Sequence, residues 1–413
     1  MTCQRTTLSC VALLLMAIHR QQPHLAASPG PAALPLHLSD TGLFVPGSTE
    51  AIAVANRPFS PQYPLWTDGA TKRRWVYIPQ GAAIDVRNPR RWEFPVGTRF
   101  WKEFSFARRR VETRVLWKAS ESGWLAGSYV WNQDGSDAVL ASDGMTGAVE
   151  IIPGRRHNVP SGADCAACHG TTRAPLGFNP LQLSDDRDSD AIHGEPLTKE
   201  MVTVRTLLDE GVLTPATAIP RTPARITARN PRTRTILGYL SGNCGACHNG
   251  DGQIAAQVPS FAYADLIDDG DGVARQMMNR PARWQAPGRT DGTMLIDPSS
   301  PDQSALLLRM RSRKPSSQMP PLGTVVQDQQ AVAAIGRWIS EVAGEGGTGN
   351  PGSGPVTSVL SATRRNGDQN LNPTPRLVER FFVVQSLHGG TPWLRWRIAV
   401  VPRSNRAMLR GVG

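Results

Sequence analysis

Between residues 38 and 150 apolar and polar residues alternate over short runs. Arg74-Trp75-Val76-Tyr77-Ile78 and Val111-Glu112-Thr113-Arg114-Val115-Leu116-Trp117 follow the period of two that sends successive side chains to opposite faces of a strand. Turn signals separate them: Asp68-Gly69, Asn88-Pro89, Val96-Gly97-Thr98, Asp134-Gly135 and Asp143-Gly144. This predicts an antiparallel β-sandwich or a related β-domain. Trp66, Trp75, Trp92, Trp101, Trp117, Trp124 and Trp131, seven of the eleven tryptophans, fall in it. Their rings either fill its core or form an aromatic cleft.

The pattern then changes. Residues 151–232 hold few long periodic runs; residues 199–210 are the best helix, with Met201, Val204, Leu207 and Leu208 on one face and Gly211 as its stop. Residues 233–343 take the helical period. A helix at 235–239 leads into Cys244, and another at 328–342 carries Val332, Ile335, Trp338, Ile339 and Val342. Gly344 and the Gly-rich run 345–354 read as a linker. In residues 355–413, Phe381-Phe382-Val383-Val384 and Trp393-Leu394-Arg395-Trp396-Arg397-Ile398 either pair as strands or belong to a tail without a fold. The expected class is α+β, an N-terminal antiparallel β-domain followed by an irregular segment and an all-α domain. With 39 Gly, 34 Pro and 19% charged residues, the elements should be short and loops many.

Residues 1–27 read as a signal peptide: Arg5, an apolar run at 11–18, then Leu25-Ala26-Ala27-Ser28. An uncleaved N-terminal anchor is the alternative, although the run is short of the roughly 20 apolar residues of a membrane span. The net charge of +11 is unevenly spread. Residues 1–27 carry +2 and residues 344–413 carry +6, which leaves +3 for the body. The basic character belongs to the tail, so nucleic acid is not an expected partner; membrane contact is confined to an uncleaved N-terminus or that tail.

Cysteine use narrows the chemistry. Of six cysteines, Cys3 and Cys10 lie in the signal segment, and the rest form Cys165-Ala166-Ala167-Cys168-His169 and Cys244-Gly245-Ala246-Cys247-His248. Two cysteines three apart reach the two vinyl groups of one haem from a single turn, and the following His lies under the iron as its axial base. The cofactors expected are two covalently bound haem c groups, on Cys165 and Cys168 with His169, and on Cys244 and Cys247 with His248. A structural zinc site would want four ligands at zinc spacing. Haem attachment is extracytoplasmic chemistry, which agrees with export to the periplasm.

For the second haem, Gln318-Met319-Pro320-Pro321-Leu322-Gly323 follows His248 by 71 residues and offers Met319 as sixth ligand from a proline-stiffened loop. The first haem has no such loop. His157, His193 and Met201 are candidates, Met145 a weaker one, and a five-coordinate iron remains open. Arg155-Arg156 is the best-placed propionate partner by proximity. The acidic runs 185–188 and 268–271 suit calcium by residue type but lack its loop spacing.

Residues 234–343, with CGACH, the Met-Pro-Pro loop and a terminal helix carrying Trp338, resemble a class I cytochrome c domain. Residues 63–75 (YPLWTDGATKRRW), 94–98 (FPVGT) and 101–104 (WKEF), ahead of a CxxCH with Leu176-Gly177-Phe178 and Leu181-Gln182-Leu183, resemble a largely uncharacterised group of exported bacterial cytochrome c domain proteins. The likeness spans 38–343. It implies haem binding and electron transfer, with Cys165, Cys168, His169, Cys244, Cys247, His248 and Met319 as the haem residues.

The expected division is 1–27 signal, 38–150 β-domain, 151–232 first haem segment, 233–343 class I cytochrome c domain, and 344–413 linker and tail. The expected function is single-electron transfer between periplasmic or membrane redox proteins. Two alternatives stand beside it: a dihaem peroxidase or oxidase with an open first haem, and a redox accessory module whose β-domain docks a polymer or partner enzyme.

Overall fold

A computed structural model describes residues 31–169, 175–251 and 259–345. The expected signal segment 1–27, nearly all of the Gly-rich run 345–354 and residues 355–413 with their two candidate strands lie outside the described residues. Everything described falls in one compact unit, and it is mixed α+β.

Strands β1 (Arg57–Pro58), β2 (Thr71–Tyr77), β3 (Ile84–Asp85), β4 (Arg99–Phe106), β5 (Arg109–Lys118), β6 (Trp124–Trp131) and β7 (Ala138–Leu140) come first. All but β3 join one antiparallel sheet in the order β1-β2-β4-β5-β6-β7. Of the two expectations, the related β-domain holds and the sandwich does not: the domain is built on one six-stranded antiparallel sheet covered on one face by a non-strand segment. Its Trp75, Trp101, Val115, Tyr129 and Trp131 face pack against Leu38, Leu43 and Phe44 from the preceding irregular segment. The indole N–H groups of Trp101 and Trp131 donate to Thr41 and Thr113 hydroxyls at 2.9 and 3.0 Å, which satisfies the polar end of each buried ring. A two-residue turn, Ala107-Arg108, joins β4 and β5 with φ of 45° and 68°. Both positions are left-handed, as a type I′ hairpin requires.

A second hairpin follows, β8 (Met145–Ile152) with β9 (Arg155–Val159), and then helix α1 (Gly162–His169). Asp164 N–H donates to Ser161 Oγ (3.2 Å) and Ser161 N–H to an Asp164 carboxylate oxygen (3.0 Å), a reciprocal cap that starts α1. Helix α2 covers only Val204–Asp209, because Thr203 caps it; the predicted first turn, with Met201, precedes the helix. Strand β10 (Leu213–Thr214) pairs with β3.

The remaining helices are α3 (Pro231–Cys244), α4 (Tyr263–Met277), α5 (Ala305–Arg311) and α6 (Gln329–Glu345). Asn230 caps α3, and Pro231 occupies its first turn, where a missing N–H costs nothing. The α6 face predicted from sequence is the buried one: Val332, Ile335, Trp338 and Ile339. The cores run across the compositional boundaries at 150 and 232. Phe178, Leu183, Val202 and Leu207 share a core with Val76 and Phe100 of the sheet. Tyr63, which precedes β2, is buried in the helical core with Leu237, Leu240 and Trp338.

Candidate functional site

Both CxxCH motifs border one cavity of about 1190 Å³. That exceeds the roughly 300–1,000 Å³ of a small-molecule pocket. Cys165, Cys168 and His169 line it from α1, where spacings of three and four residues put all three on one helical face. Cys165 Sγ lies 4.0 Å from Ser128 Oγ on β6, which seats the helix on the sheet. Cys244 ends α3, and Cys247 and His248 N–H donate back to its carbonyl at 3.1 and 2.9 Å. The turn thus continues through the motif and holds both thiols and the imidazole together. Met319 borders the same cavity; its N–H donates to Arg309 O at 3.0 Å, and the Gln318 amide donates to the carbonyls of Pro320 and Pro321.

All four thiols are free. Burial pushes the Cys244 thiol up to about 12 and raises Cys165 and Cys168 too. Cys168 also feels Cys247, which places the two motifs near each other. Burial holds His169 down to about 4, with Lys102 and Arg114 adding to the shift, and lowers His248, helped by Arg309. Both imidazoles are neutral near pH 7, the form that ligates metal. Their Nδ1 atoms are buried without hydrogen-bond partners.

Among the described residues no group of three His, Cys, Asp or Glu could hold a bare metal ion. The four thiols are not a zinc tetrahedron. A thioether-bound haem asks for less: two separate thiols and one or two axial side chains. The apolar lining, the free thiol pairs and the neutral imidazoles fit that group. Unpaired donors on the wall, Arg74 Nη2, Trp92 Nε1 and Arg313 Nε, fit a ligand bringing its own acceptors.

The proposed sixth ligands of the first haem do not reach the cavity wall. His157 is fully buried between two carboxylates, Nδ1 2.9 Å from Asp68 and Nε2 3.2 Å from Glu112. Burial opposes its charge, but the two carboxylates prevail and raise its pKa. His193 Nε2 is held by Asp328 at 2.9 Å. Met201 lies in the turn before α2, and Met145 is exposed at the start of β8. Arg155 and Arg156 are exposed on β9, where Arg156 donates to Gly147 O, so proximity in sequence misleads here.

The basic wall comes from the sheet instead. Arg74, Lys102, Arg114 and Ser128 are directly opposite one another across β2, β4, β5 and β6, so they form one row on the cavity-facing side. The two-residue period of Phe100, Lys102 and Phe104 was the available signal for Lys102. The acidic runs prove to be ion-pair partners: Asp186 meets Arg225 and Arg234, and Asp271 meets Arg229. None of the sheet's tryptophans is among the exposed large hydrophobics.

No protein-family model, curated protein or solved structure matches the chain.

Proposed function

We propose that this protein is an exported dihaem c-type cytochrome that passes single electrons between periplasmic redox partners. The observation that carries the reading is the convergence of both CxxCH motifs, with four free thiols and two neutral imidazoles, on one cavity. A bound haem would supply a one-electron iron couple whose potential depends on its axial ligands.

The chain's own part is binding and placement. Cys165 and Cys168 would hold one haem, and Cys244 and Cys247 the other, through thioethers to its vinyl groups. His169 and His248 would each offer a nitrogen to one iron, and Met319 would offer its sulfur to the second. The class I cytochrome c reading of 233–343 belongs to the same proposal; an α3 that ends in the motif and Met319 on the facing loop support it. The largely apolar wall suits the haem faces, and its being shared by both motifs favours exchange between the two haems. No helix among the described residues is long and apolar enough to cross a membrane.

The test is intact-mass and pyridine haemochrome analysis of the chain produced with a cytochrome c maturation system. Two haems per chain are expected, with reversible one-electron reduction; none, or one, overturns the reading. Rapid turnover of hydrogen peroxide by a high-spin haem would replace electron relay with the peroxidase alternative.

A further inference from the structure

We propose that Lys102 Nζ is the second axial ligand of the iron bound by His169. This rests on the dihaem reading and identifies the ligand that reading left open.

The geometry singles Lys102 out. In the row Arg74–Lys102–Arg114–Ser128, every other member has a partner: Arg74 pairs with Glu195 at 2.8 Å, Arg114 with Glu112 at 2.6 Å, and Ser128 faces Cys165. Lys102 borders the cavity with no hydrogen bond or ion pair, its Nζ only standing 5.0 Å from the Phe104 ring. The row ends at Ser128 against Cys165, so Lys102 and the first motif border the cavity from the same part of the sheet. The half-buried ammonium of Lys102 lies between two guanidiniums and forms no ion pair, Glu112 being engaged by Arg114. As a neutral amine it has a lone pair directed to no protein group, and a Lewis acid beside His169 would satisfy it. Burial and the neighbouring Arg74, Lys72 and Arg114 favour that neutral form. The rival ligands are spent or absent from the wall: both His157 nitrogens face carboxylates, and Asp328 holds His193.

The full chain carrying its haems is examined in the ferric state by electron paramagnetic resonance and near-infrared magnetic circular dichroism. Wild type should show a low-spin first haem with the charge-transfer band of His/amine ligation. Lys102→Ala should turn one of two haems high-spin while the methionine band of the other persists. Lys102→Arg should do the same, because a guanidinium keeps the charge but does not coordinate. A wild-type first haem that is high-spin, or has a bis-His or His/Met band, overturns the proposal whether or not the variants fold. Retention of the wild-type spectrum by Lys102→Arg also overturns it, making Lys102 a charge partner for a haem propionate. Fewer than two haems on the wild-type chain refutes the dihaem reading itself, and this proposal with it.

Discussion

His157 sits at the centre of a chain of contacts that runs from the segment after the Met319 loop to the cationic row of the sheet. Asp68 accepts the backbone N–H groups of Val325 and Val326, beyond the Met319 loop, at 2.8 and 3.1 Å, and its other oxygen meets His157. His157 continues to Glu112, and Glu112 to Arg114 in the cationic row. Removing the imidazole takes a shared partner from two buried carboxylates, leaving Asp68 its two backbone N–H donors and Glu112 its Arg114, so His157→Leu should cost on the order of 3 kcal/mol in urea unfolding. The pH dependence has a definite sign. The folded pKa of His157 is raised above 6.5, so its contribution is complete below about that pH and fades as pH rises through the folded value. The folded pKa of Glu112 is lowered, because Arg114 and His157 outweigh its burial; its contribution is complete above about 4.5 and is lost as pH falls through the folded value. The stability gap between wild type and His157→Leu should therefore narrow at alkaline pH; a constant gap would mean that the histidine acts by packing alone. At the other end of this chain, Met319→Ala should abolish the near-infrared methionine band and lower one haem potential, since His/Met ligation raises it. Persistence of the band would assign the sulfur elsewhere, and Met277 and Met310 on the same wall are the next to test.

At the scale of elements, α3 is positioned by what it lacks. A Cβ on Gly238 would stand 2.2 Å from the Tyr63 ring, and one on Gly242 2.2 Å from Tyr63 O. The segment from Tyr63 to Trp66 thus lies directly on the helix, and Asn243 fixes it by accepting from Trp66 N–H at 2.8 Å and donating to Pro64 O at 3.2 Å. Gly238→Ala should destabilise by about 1–3 kcal/mol or more, read in thermal or urea unfolding, with the loss reduced in a Tyr63→Ala background. Equal losses in both backgrounds would show that the close approach is not the cause. The β4–β5 turn teaches the opposite lesson about legibility. Ala107-Arg108 takes left-handed φ without Asn or Gly, so no turn residue announced it. The strand pairing around it imposes the conformation.

The whole molecule places two CxxCH motifs, far apart in sequence, on one cavity wall. Each should still load independently, because its thiol pair lies on its own helical turn. Cys165→Ser with Cys168→Ser should leave one haem per chain and keep the methionine band, while the Cys244→Ser and Cys247→Ser pair should remove the band with its haem. Visible spectra and mass analysis read both. Loss of both haems from either variant would mean that attachment at one site depends on the other.

Local chemistry was readable from the chain alone. The CxxCH spacing, the strand period around Trp75 and Val115, the buried face of α6 and the glycines at turns each depend on residues within a few positions of one another. Pattern could not decide which rings became core, that six strands join one sheet with the β3–β10 and β8–β9 pairs outside it, or that Tyr63 belongs to the helical core. Nor could it exclude His157, His193, Arg155 and Arg156 from the cavity, or bring Arg74, Lys102 and Arg114 into one row. Those outcomes follow from strand register and from packing between segments more than a hundred residues apart, where a partner is set by the fold and not by sequence distance. The two motifs were legible in the sequence; the shared wall between them, and the unpartnered lysine on it, belong to the tertiary structure.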